Sequence, residues 1–283
     1  MIKVSITILL LAAFQPRVGL AEGRAADQTL RIAQFNIWEL STTKIDDVDE
    51  TGAGRHAQLL AAAEIIRTVA PDILIVNEID HDLDSVRRGE DLALNARRFN
   101  DRYLNQGPDA LDYPYALAAP CNTGHLTGMD LNNDGLAATK DHQGSREHGA
   151  DCFGYGVYPG QYSMAVLSKY PLLADELRTF QLFRWVDLPG NLIPPGRFSP
   201  DELEILRLSS KSHWDLPVRI GDRRLHLLIS HPTPTGYDGP EDVNGRRNHD
   251  EIRMWVHYLE GDGVLADDRG DRSGLAAGES FVI

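Results

Sequence analysis

Basic charge is scarce in this sequence. Across 283 residues, 28 lysines and arginines face 42 aspartates and glutamates, a net charge of −14 with histidines neutral. Such a field repels polyanions at long range and leaves no basic footprint for nonspecific nucleic-acid binding, though a local cationic site is not excluded. Long apolar runs are also missing: beyond the first 21 residues nothing is apolar enough to cross a bilayer. Cysteine is confined to Cys121 and Cys152, so at most one intramolecular bridge can form.

What the chain does have begins with a leader. Lys3, the apolar run "VSITILLLAAF" and the small residues of "GLA" before Glu22 read as a secretory signal over residues 1–21. An uncleaved membrane anchor is the alternative. The expected location is therefore secreted or periplasmic, with no transmembrane segment left after cleavage. Removing Lys3 and Arg17 makes the mature chain more acidic still. In an oxidising compartment an isolated cysteine pair is expected to be bridged, and a loop of that size would contribute about 3 to 4 kcal/mol if unstrained. Two separate buried thiols are the bland alternative.

The 283 residues, with 42% hydrophobic content, suffice for one large α/β domain or two small ones, and residues 22–283 are expected to form a single one. "LRIAQFNI" reads as a buried strand whose carboxyl end turns polar at Gln34 and Asn36. "HAQLLAAAEIIRTVA" places Leu59, Ala63, Ile66 and Ala70 on one helical face, and "DILIVNEI" returns as a second strand. This crossover makes the two strands parallel, with Asn36 and Glu78 at the same edge. "DLALNARRFNDRYL" is an outer helix, and about 107–160 is a Gly- and Asp-rich surface insertion containing both cysteines. Then come the strand "SMAVLS", a capped helix start at Ser199, and the hairpin "LPVRI", "GD", "RRLHLLIS" ending at His231. "NHDEIRMWVHYL" is expected to bury Ile252, Trp255, Val256 and Leu259, and "GESFVI" opens another strand.

Three apolar strands thus end in Asn36, Glu78 and His231, where α/β sheets collect ligands. One glutamate with neutral partners suits a hard cation such as Mg²⁺ or Mn²⁺. Each residue also has a duller reading: Asn36 as a turn cap, Glu78 paired to a buried arginine, His231 as a satisfied structural group.

"RIAQFNIWEL", "PDILIVNEID", "GQYSMAVLSKYPL" and "LHLLISHPTP", in that order, resemble successive strands of the endonuclease/exonuclease/phosphatase superfamily. The resemblance implies a four-layer α/β sandwich of two packed mixed β-sheets flanked by helices, incomplete at the C-terminus. It implies a secreted, metal-dependent phosphoester hydrolase with Glu78 as metal ligand, Asn36 beside metal and phosphate, and His231 on the phosphate or leaving group. The superfamily's Gly-Asp-x-Asn motif and later Asp-His pair are not in this sequence. The expectation is therefore a fragment, inactive alone. Asn77, on the opposite face from Glu78, is expected to be structural.

Arg246 and Arg247 stand at an expected helix start and could clamp a phosphate, or form a solvated helix end. The substrate class stays open among nucleic acids, phospholipid head groups and small phosphate esters, and the expected state is a monomer. Separately, "DLNNDGLAATKD" sets Asp130, Asn132, Asp134, Leu136 and Asp141 at ligand positions of a Ca²⁺ loop, the carbonyl of Leu136 serving at position seven. It resembles dockerin loops; an acidic solvated loop is the alternative. A structural Ca²⁺ there leaves a second functional class open: a noncatalytic calcium-binding extracellular domain on the same scaffold.

Overall fold

The computed structural model describes residues 29–283, so the leader expected at 1–21 lies outside the described residues. Eight strands follow in order: β1 (Ile32–Leu40), β2 (Ile73–Ile79), β3 (Tyr115–Leu117), β4 (Ser163–Ser168), β5 (Arg178–Thr179), β6 (His213–Ile220), β7 (Arg223–Ser230) and β8 (Ser280–Val282). They form two four-stranded sheets, ordered β1-β2-β4-β3 and β5-β6-β7-β8. Both sheets are mixed. β1 and β2 are parallel, as are β7 and β8; the other neighbours are antiparallel.

Alternation in β2 explains the layering. Ile73 and Ile75 join Met164, Val166, Trp214, Leu216 and Leu227 in a core between the sheets. Leu74 and Val76 turn the other way, against Leu59, Ala63 and Ile66 of the Ala57–Val69 helix and against Phe99 and Tyr103. On the far side, Met254, Trp255 and Tyr258 of the Val243–Glu260 helix cover the second sheet through Leu228, Phe180 and Trp185. Helix, sheet, sheet and helix make the four-layer sandwich.

Three expectations need correction. The C-terminal helix begins at Val243 and presents a different face: Asp250, Glu251, Met254, Trp255 and Tyr258 are buried, while Ile252 and Val256 are 55% and 51% exposed. Carboxylates can occupy the buried face because each has donors. Asp250 accepts from Trp185 Nε1 and Leu192 N–H, both at 2.7 Å, and Glu251 accepts from Ser210 N–H at 2.9 Å.

The insertion is not only surface. It contains β3, and its Asn122 is fully buried, donating from Nδ2 to the carbonyls of Gln181 and Ser209, each at 2.8 Å.

The two cysteines are free. Their segments do run side by side, but Thr123 pairs with Gly154 and Leu126 with Cys152, a register that leaves Cys121 and Cys152 out of opposition. Backbone hydrogen bonds, including Gly124 N–H to Gly154 O at 3.0 Å, do the linking instead. Each thiol has its own partner: Cys121 Sγ lies 3.0 Å from Thr123 Oγ1, and Cys152 Sγ donates to His148 O at 3.0 Å. Burial raises the pKa of both, keeping them protonated and inert. Alkylation of the unfolded, unreduced chain should therefore label both cysteines, and labelling that requires prior reduction would contradict this arrangement.

The Ala57–Val69 helix ends in a left-handed residue, Ala70, at φ 47°, with its N–H on Ile66 O. Glycine occupies that region without the Cβ clash that costs an L-residue about 1 to 2 kcal/mol. Ala70→Gly is expected to stabilise the fold by about 1 kcal/mol, read as a higher urea midpoint at unchanged m-value. A lower midpoint would show that the turn is not strained.

Candidate active site

The carboxyl ends of β1 and β2 and the start of β4 share one edge, and there the backbone departs from regular strand geometry. Trp38, Glu39, Glu78 and Tyr162 have φ of 41°, 55°, 61° and 57°. The ladders shift register between Asn36 and Leu40 and between Asn77 and Ile79. Left-handed non-glycine residues concentrated at one strand edge are strain held where side chains must be aimed. The shift at Glu78 has a visible effect: Ile79 joins the same core as Leu74 and Val76, which strict alternation would forbid.

The strained turns bring the Glu78 carboxylate onto two donors. Asn36 Nδ2 donates to Oε1 at 2.8 Å and the Glu39 N–H to Oε2 at 3.3 Å. Asn36 is itself fixed, its Oδ1 accepting the Trp38 N–H at 2.9 Å. Gln58 holds the bent end of β1 by donating to the carbonyls of Ile37 and Trp38 at 2.6 and 2.8 Å. Asn77 is buried, its Oδ1 accepting from the Gln34 side chain at 3.3 Å rather than bonding to backbone.

The second sheet contributes from across the core. His231, just past β7, places Nε2 3.8 Å from Glu78 Oε1. Burial, together with the Lys211 ammonium, pushes His231 well below the usual imidazole range. Asn36, Glu78 and His231, distant in sequence, therefore meet at one point.

Behind them lies a buried layer that sequence reasoning missed. Asp80 accepts from the Tyr158 hydroxyl and from the Tyr162 N–H, and desolvation raises it to about 6. The Tyr162 hydroxyl donates to Glu39 Oε1 at 3.2 Å. His81 Nε2 lies 2.8 Å from Ser163 Oγ, and burial lowers its pKa to about 4. The run "NEIDHD" carried the only signal, a density of ionisable groups too high for a bare turn.

The remaining expected residues are engaged with the fold itself. Arg247 spends donors on the main chain: Nε donates to Leu208 O at 2.8 Å, and Nη2 to the carbonyls of Phe153 and Arg207 at 2.8 and 2.7 Å. Arg246 donates to Glu241 O at 3.1 Å. In the Asp130–Asp141 loop the carboxylates accept the loop's own amides. Asp130 takes the N–H groups of Asp134 and Gly135 at 3.1 and 2.8 Å, and Asp134 takes those of Leu136 and of the Asn132 side chain at 2.9 and 2.8 Å. Asp141 lies in the separate Lys140–His142 turn of 3₁₀-helix.

Among the described residues, no three or more His, Cys, Asp or Glu side chains form a metal cage. The donor set at Glu78, one carboxylate beside an amide, fits instead the class of hard cation that takes one or two carboxylates and leaves its other positions to water and phosphate.

Residues 33–270 match the Endonuclease/Exonuclease/phosphatase family. The chain belongs to that family. Among solved structures it is similar to an endonuclease/exonuclease/phosphatase from Beutenbergia cavernae, with 17% identity and a TM-score of 0.40, covering 82% of this chain and 43% of that one. The family member described here thus spans less than half the length of that relative. No curated protein matches it.

The buried histidine makes stability depend on pH. His81 is neutral in the fold down to about pH 4 but takes up a proton near 6.5 once unfolded. The unfolded state binds the extra proton between those values, so stability is full above 6.5 and falls as pH drops toward 4. Asp80, raised to about 6, works with the opposite sign over its own window. His81→Asn should therefore lose less stability than the parent between pH 7 and 4.5, by on the order of 2 kcal/mol in urea unfolding. Equal losses would remove His81 from the pH response.

Proposed function

We propose that the complete protein is an exported, Mg²⁺- or Mn²⁺-dependent phosphoester hydrolase, and that Glu78, Asn36 and His231 carry its chemistry. The carrying observation is the Glu78 carboxylate, held between the Asn36 amide and the Glu39 N–H with His231 3.8 Å away. Family membership supports hydrolysis of phosphate esters; the leader-like residues 1–21 support export.

Each side chain has a distinct task in this reading. Glu78 would hold the cation, and Asn36, already locked to Glu78, would keep metal and phosphoryl group in register. When bound, the metal supplies Lewis acidity toward a phosphoryl oxygen and a more acidic water. His231 would donate an N–H to a phosphoryl oxygen as charge develops there. The positive-φ turn at Glu78 fixes this geometry before substrate arrives, so little reorganisation is left for the reaction.

The acidic balance disfavours nonspecific duplex binding and favours a compact ester over a long polyanion. An assay panel of an aryl phosphodiester, an aryl phosphomonoester, DNA and sphingomyelin, run on the full-length protein, tests both reaction and substrate. Loss of one donor to developing charge costs about 100 to 1,000-fold in rate, the range expected for Asn36→Ala and His231→Ala. Glu78→Ala should cost more, and EDTA should abolish turnover until Mg²⁺ or Mn²⁺ is restored. Turnover that survives both EDTA and Glu78→Ala would overturn the mechanism.

A further inference from the structure

One cation beside Glu78 has no hydrogen-bond or ion-pair partner for its ammonium among the described residues. Lys211 lies in the segment leading into β6. His213 pairs with Ser230, so residues just before β6 run beside those just after β7, and His231 is the first of these. The buried Glu251 carboxylate fastens the two segments together: Oε1 accepts the Ser210 N–H at 2.9 Å and Oε2 the Thr233 N–H at 2.5 Å. From the other side, the Asn122 N–H donates to Lys211 O at 2.8 Å. The main chain at Lys211 is pinned from both directions.

Its side chain is not. Lys211 is 7% exposed, yet its ammonium makes no hydrogen bond and no ion pair among the described residues. The carboxylates whose charge reaches it are Glu251 and Glu78, and it acts in turn on His231. A structural counter-ion would have closed onto one of those carboxylates. Both instead have their oxygens engaged by other donors: Glu251 by two amides, Glu78 by Asn36 and Glu39. Three fully buried polar atoms in the same two segments also lack partners among the described residues: Ser210 Oγ, Thr233 Oγ1 and His231 Nδ1.

An ammonium carries three N–H donors and no acceptor, and the two hydroxyls can each donate as well. Buried donors in the same two segments as a positive charge are matched by an anion rich in acceptors. We propose that Lys211 contacts a non-bridging oxygen of the phosphoryl group, with Ser210 and Thr233 completing an anion subsite beside Glu78. This rests on the phosphoester reading for its biological meaning, but phosphate binding can be measured without turnover. The subsite differs from the arginine clamp expected of Arg246 and Arg247. A single lysine grips a phosphoryl oxygen as a point charge, without the fixed paired geometry of a guanidinium.

The test is inorganic phosphate binding to the chain in excess EDTA, by titration calorimetry at constant ionic strength. Lys211→Met, close in length and uncharged, should weaken phosphate about 10 to 100-fold, the range for losing a charge-assisted hydrogen bond. Lys211→Arg should retain most of the affinity, which a merely structural role would not require. Lys140→Met, in the exposed Lys140–His142 turn, should leave affinity unchanged. Equal affinity for the parent and Lys211→Met, or no binding by the parent, would overturn the proposal. Should Lys211→Met fail to fold, amine acylation of the parent, mapped by mass spectrometry, replaces it. Phosphate should then slow modification of Lys211 but not of exposed Lys140, and no selective protection would overturn the subsite. Phosphate binding lost in Lys211→Met, with no metal-dependent turnover by the full-length protein, would support the subsite while removing the hydrolase reading alone.

Discussion

The hydrogen bond from the Asn36 amide to the Glu78 carboxylate, 2.8 Å long, joins the ends of two parallel strands, and both strands leave their regular geometry to make it. A parallel pair offers no such contact by itself, because alternating side chains fix which face each residue takes. The left-handed turn at Glu78 breaks that alternation and returns Ile79 to the core one residue later. The bend at Trp38 and Glu39 supplies the second donor to Glu78, and Gln58 on the Ala57–Val69 helix holds that bend in place. The crossover helix therefore does more than connect the strands: it braces the end of the first.

On the other sheet Glu251 has the corresponding role. Its carboxylate is fully buried and uses both oxygens to hold the entry to β6 against the exit from β7, while its backbone carbonyl lies 2.8 Å from His213 Nε2. Because His231 sits between Ser230 and Thr233, this bracket places it opposite Glu78 at 3.8 Å. Asn36 and Glu78 are thus set by one sheet and His231 by the other. The apolar core of Ile75, Met164, Trp214 and Leu216 is what fixes the distance between them.

Much of this was legible in the sequence, for a definite reason. Strand and helix periods report burial directly, so β1, the first helix and β2 follow from spacing, and their parallel pairing puts Asn36 near Glu78. The misses share a cause. Apolar periodicity cannot see a buried carboxylate that has donors, so Ile252 and Val256 were expected inside where Glu251 and Asp250 are found. Nor can it see register: the cysteine segments meet, but one paired with the other out of step. Arg247 lies close to its expected helix start, yet its donors serve three carbonyls that only the folded chain brings together. Lys211 carried no motif at all, since its meaning comes from what it fails to contact.

The site edge is also where the fold gives up stability. Four left-handed non-glycine residues, each costing on the order of 1 to 2 kcal/mol, occupy one edge of one sheet. A domain of this kind holds only about 5 to 15 kcal/mol in reserve, so strain of that total must be offset elsewhere. The inter-sheet core can do so: Trp214, Leu216, Val218 and Leu227 are fully buried, and a buried side chain of this type contributes about 1.5 to 3 kcal/mol. The buried, uncharged His81 adds its cost at the same edge, and Lys211 adds one on the facing sheet. Strain and desolvation therefore fall together on the few residues that aim Glu78 and His231 at one another, while regular, well-packed structure is kept for the two sheets that hold them there.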